Sequence, residues 1–108
     1  MNDQFEEFSH TLPLELLQRA YRSRHELAWA RTDAVEAIDR LEKAGFRLLG
    51  VEVWIPSSPG PKMTGWFWDS RDKETGRDFV KGFEWGPQDG SLKNCEPFFN
   101  LTVAERQS

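Results

Sequence analysis

A chain of 108 residues has room for one hydrophobic core and not for two, so one domain over 1–108 is expected, folding without disulfide or metal support. Its apolar and charged fractions, 38% and 30%, are those of a globular chain and exclude a disordered one. The formal net charge of −4 opposes binding to nucleic acid or to an anionic membrane and favours a basic partner.

The first ten residues are polar and acidic, apart from Phe5 and Phe8, and suit a short helical turn or a docked arm. Asp3, Glu6, Glu7 and Glu15 precede any Lys or Arg, a pattern that predicts neither a secretory signal nor a transit peptide. Pro13 fits the first position of a helix, and Leu14, Leu17, Ala20 and Tyr21 share a helical face. This predicts a helix over 13–24. A second helix is predicted over 33–44. Thr32 or Asp33 would cap it, and Glu36 stands three residues after Asp33. Ala34, Ala37, Ile38 and Leu41 form its stripe, Lys43 lies in its last turn, and Gly45 ends it.

Strands follow. In 46–55, Leu49, Val51, Val53 and Ile55 alternate with Leu48, Gly50, Glu52 and Trp54. Pro56 to Pro61 is a turn or loop. Over 63–69, Trp66 and Trp68 share one face and Phe67 takes the other. A charged loop surrounds Gly76. A third strand is read over 79–85, Gly86 to Gly90 is a turn, and 98–104 forms the last strand. Two helices followed by about four strands joined by turns predict an α+β fold, with the helices on an antiparallel sheet.

No motif for metal, phosphate or cofactor emerges. His10, His25 and the lone Cys95 have no ligand spacing, and no glycine-rich phosphate loop is present. One cysteine makes no internal disulfide, which points to a reducing, cytoplasmic setting. No apolar run approaches the ~20 residues of a membrane helix. Cys95 beside Glu96-Pro97 is a packed or bystander thiol more readily than a nucleophile, so an enzyme is not expected. Arg19, Arg22, Arg24 and Arg31 with Tyr21 and Trp29 could touch nucleic acid, but the net charge favours a solvated helix face. Asn100-Leu101-Thr102 matches a glycosylation sequon, by chance in a cytosolic chain.

Five Trp, with eight Phe, are the unusual feature. Trp is enriched in binding hot spots. Trp66, Trp68 and Asp69 lie near Asp72, Glu74 and Asp78, with Glu84, Trp85 and Asp89 following. Aromatic rings edged by carboxylates would suit a basic protein such as a nuclease. Equally, Trp66 and Trp68 could pack beneath the helices, leaving the acids as a solvated loop.

The run Glu26-Leu27-Ala28-Trp29, the helix from Asp33 through Leu41, and Leu49-Gly50-Val51-Glu52-Val53-Trp54 resemble the bacterial immunity protein 40 family. Gly65-Trp66-Phe67-Trp68 stands where that family has an Asn-Trp-Tyr-like strand. The pattern departs at Val51, Glu52, Trp54 and Gly65, where the family has Gly, Asp, Tyr and Asn. The resemblance covers roughly 26–70. It implies neutralisation of a cognate toxin by stoichiometric binding, with no catalytic residues and with Glu52, Trp54 and the Trp66–Asp69 strand as structural or interface residues. A small-ligand or peptide-binding module using a Trp-rich sheet face is the alternative.

Overall fold

The computed structural model describes residues 3–104. The elements in order are α1 (Gln4–Phe8), α2 (Leu14–Arg19), β1 (Tyr21–Ser23), β2 (Glu26–Ala30), α3 (Arg31–Lys43), β3 (Arg47–Ile55), β4 (Lys62–Asp69), α4 (Gly76–Gly82), a 3₁₀ segment (Pro87–Asn94) and β5 (Phe98–Ala104). The fold is α+β. Its single sheet has the order β1-β2-β5-β3-β4, and every neighbouring pair is antiparallel.

The expected helix and strand over 33–55 are present, but a register shift between Leu48 and Gly50 puts Leu48 in the core with Val51 and Val53, off the Glu52–Trp54 face that alternation gives it. α3 begins at Arg31, two residues ahead of the predicted start, with Ala30 as its cap and Asp33 inside its first turn. It stops where expected: Gly45 adopts φ 99°, the Phe46 N–H reaches the Leu41 carbonyl, and the Gly45 N–H reaches that of Glu42. This pair of bonds satisfies the last carbonyls of the helix and requires a left-handed residue at Gly45.

Two expectations need correction. The helix over 13–24 ends at Arg19, and Tyr21 lies in the β1–β2 hairpin. That hairpin turns through Arg24 at φ 55°, a conformation that is uncommon outside Gly and Asn. The strand over 79–85 is instead helix α4, whose start is fixed by the Thr75 hydroxyl accepting from the Asp78 N–H. Phe79 and Phe83, four apart, fit a helical face as well as they fit a strand.

The core lies on one side of the sheet. Leu27 and Trp29 from β2, Phe99 and Leu101 from β5, Val51 and Val53 from β3, and Trp68 from β4 face Leu16, Leu17, Ala34, Ile38, Leu41 and Val80 of the helices. Asn100 is the buried polar residue among those described. It donates to the Leu27 carbonyl and to Gln4 Oε1, so the acceptor Asn of the sequon is enclosed. Gln4 in turn accepts from the Leu27 N–H and donates to the Leu101 carbonyl. Its amide thereby bridges β2 and β5 beyond their last paired residues, Ala28 and Asn100.

Gly76 shows how closely α4 sits on the sheet. A Cβ there would lie 2.3 Å from Leu48 Cδ2 and 3.0 Å from the Trp68 ring. Gly76→Ala should therefore destabilise by about 1–3 kcal/mol through overpacking, although helix propensity alone favours Ala by up to about 1 kcal/mol. Urea titration followed by Trp fluorescence measures the difference, and an unchanged midpoint would show that Leu48 moves aside freely.

Candidate protein-binding face

The cross-strand register assigns each residue to a side of the sheet. Phe67, Glu52, Asn100, Ala28 and Tyr21 form one row across the strands, with Met63, Trp54 and Phe98 alongside on the same face. None of these eight belongs to the core cluster beneath the helices. They form the face opposite that core, where Gln4 of α1 meets the buried Asn100.

This face has two halves. On one, Tyr21 meets the Trp54 and Phe98 rings edge-on at 6.4 and 6.5 Å. Its hydroxyl donates to the Ser57 carbonyl, which ties the proline-rich loop to the β1–β2 hairpin. Trp54 is buried. A groove of about 540 Å³ runs between this loop and the hairpin, lined by Tyr21, Arg22, Trp54 and Pro59 among others. The other half is open. Phe67 and Met63 are 63% and 62% exposed, more than is usual for such large apolar side chains. Glu52 stands exposed across from Phe67.

The sequence-derived interface residues do not form one patch. Trp68 is buried, and its indole N–H donates to the Glu74 carbonyl. Trp66 is half-buried against Phe83, with its N–H on the Asp89 carboxylate. Both rings point to the helix side, so neither serves as an exposed anchor there. The exposed ring is Phe67, the residue that alternation sends the other way. Trp85 is half-buried, donates to the Cys95 carbonyl and packs edge-on against Phe83. With Glu84 it lines a separate depression of about 430 Å³ that includes Arg31, Lys93 and Cys95 and no histidine.

The acids also divide by role. Glu74, Asp78 and Glu84 are exposed. Asp69 and Asp72 hold the turn after β4: Asp69 accepts from the backbone and guanidinium of Arg71, and Asp72 accepts from the Asp69 N–H. The Arg71 guanidinium foremost, and then its backbone N–H, holds the Asp69 carboxyl below its ordinary value. A folded-state value below the unfolded one stabilises above about pH 4 and loses that contribution as pH falls through the folded value. The carboxyl carbon of Asp69 should therefore titrate below an ordinary aspartate in NMR, and Arg71→Ala should move the midpoint upward. An unmoved midpoint would remove Arg71 as the cause.

The arginines that could have made a nucleic-acid patch are mostly occupied. Arg19 pairs with Asp33 at 3.1 Å, Arg22 pairs with Asp3, and Arg31 donates to the Val80 and Lys81 carbonyls at the end of α4. Trp29 is fully buried. Among the described residues no group of three or more His, Cys, Asp or Glu could hold a metal ion, and no helix is long and apolar enough to cross a membrane.

No family model matches this chain, and no curated protein or solved structure was found to be similar to it.

Proposed function

We propose that this protein is an immunity protein, which binds and neutralises a cognate bacterial toxin domain by stoichiometric association in the cytoplasm. The observation that carries the reading is the open half of the face opposite the core, where Phe67 and Met63 are exposed beside the carboxylate of Glu52. Large apolar side chains exposed together with a charged neighbour suit a protein interface. The net charge of −4 suits a partner with a basic surface, such as a nuclease domain, whose own groove must attract phosphate. The motif resemblance over 26–70 points to the same class. No catalytic step is assigned to any residue.

The test is co-expression with the product of the adjacent open reading frame. A one-to-one complex on size exclusion and restored growth are expected. Absence of both would overturn the reading. A binding module for a small ligand or a peptide is the second reading, favoured by the groove against Tyr21 and Trp54. Trp fluorescence should respond to a metabolite or peptide panel if that groove is the working site.

A further inference from the structure

We propose that the depression beside Phe67 receives an arginine side chain from the protein partner, an inference that rests on the binding role above. The depression measures about 290 Å³, and Gly50, Glu52, Met63, Phe67 and Thr102 help to line it. Glu52 lies directly across from Phe67, while Gly50 pairs with Thr102 on one side and Asp69 on the other. Directly opposed residues in an antiparallel pair have Cβ atoms about 4.5–5.5 Å apart, so the Phe67 ring and the Glu52 carboxylate are within reach of one bound group.

Three features select that group. The first is an unpaired charge. The Glu52 carboxylate accepts the Trp54 indole N–H at 3.3 Å, and among the described residues no cation pairs with it. The neighbouring Asp69 is already neutralised by Arg71. The second is an exposed aromatic surface with a thioether beside it. The third is a floor without a side chain. A Cβ at Gly50 would make only ordinary contacts, 3.6 Å to the Trp68 carbonyl and 3.9 Å to Thr102 Cβ, so the absence of one leaves space that packing does not require.

A guanidinium fits all three. Its flat face stacks on an aromatic ring while its edge donates to a carboxylate. A lysine ammonium is compact and strongly hydrated and lacks the flat face. Docking onto the face is also favoured over strand addition at the β4 edge. Between the Glu52–Phe67 and Trp54–Met63 pairs, β4 carries Thr64, Gly65 and Trp66 against Val53 alone. The Thr64 hydroxyl donates to the Val53 carbonyl and Gly65 adopts φ 86°. A bulge of this kind interrupts the row of edge groups that an added strand would need.

The probe is N-acetyl-arginine N-methylamide, titrated into the ¹⁵N-labelled protein, with the citrulline and lysine analogues as comparisons. Shifts should centre on the amides of Gly50, Glu52, Phe67 and Thr102. Citrulline, isosteric and neutral, should produce none of them, and lysine should bind more weakly. Glu52→Gln should weaken arginine binding about tenfold, the scale of a charge-assisted hydrogen bond. Gly50→Val, which fills the floor, should abolish it. Equal shifts with citrulline, an unchanged affinity in Glu52→Gln, or shifts centred elsewhere would overturn the proposal. The two readings fail separately. A partner complex whose affinity ignores Glu52→Gln removes the arginine receptor and keeps the binding role. Arginine binding without any partner complex keeps the receptor and removes the immunity role.

Discussion

Trp29→Ala should lower stability by about 3–5 kcal/mol, the range for truncating a buried aromatic residue. The ring has no exposed surface. It sits 6.2 Å from the Phe8 ring, and its indole N–H donates to the Leu16 carbonyl at 2.8 Å. One side chain therefore ties α1 and α2 to β2. Domains of this kind hold about 5–15 kcal/mol in total, so the loss is a large share. With a urea slope of about 1–3 kcal/mol/M, the midpoint should fall by more than 1 M. Trp29→Phe should recover most of the packing and leave the loss of the Leu16 bond, worth about 1 kcal/mol. A midpoint in Trp29→Ala within experimental error of the parent would mean that the α1–α2 end is not coupled to the rest of the core.

Trp68→Ala should cost a similar amount, about 3–5 kcal/mol, for a different set of contacts. Trp68 is 6% exposed, stacks against the Gly76 position and donates to the Glu74 carbonyl at 2.9 Å. Its loss loosens the 69–75 loop and α4 together. Phe67→Ala, one residue away, should change stability by no more than about 0.5 kcal/mol, as exposed sites do. Paired urea titrations of these neighbours measure which side of β4 carries the fold. If Phe67→Ala proves the more destabilising, the assignment of the two faces is reversed.

That contrast also shows how far the sequence could be read. Alternation along 63–69 correctly separates Phe67 from Trp66 and Trp68. It cannot say which set faces the helices, because both are aromatic and the period is two in either case. Helices beneath the sheet decide it, and those contacts are distant in sequence. α3 was legible because its stripe and its Gly45 stop are local signals. The β1–β2 hairpin was not, because its turn uses Arg24 at positive φ where Gly or Asn would normally advertise one. Alternation puts Trp54 on the correct strand face, but the Tyr21 ring that packs on it comes from a hairpin distant in sequence, with no local signature. The acids read as one rim fall into turn-holding residues and free ones for the same reason.

The position of β5 has a consequence for how the chain is made. The last strand among the described residues is the middle strand in space, between β2 and β3. During vectorial synthesis, a ribosome that has not yet released Phe98–Ala104 holds two separate hairpins, β1–β2 and β3–β4, with no strand to join them. The helices that cover the sheet are already made by then, but Phe99 and Leu101 are missing from the core beneath them. Such late, long-range closure slows folding and leaves sticky intermediates. A chain stalled or cut before Phe98 should therefore be a substrate for chaperones and proteases, and only a chain that includes β5 should present the Glu52–Phe67 face.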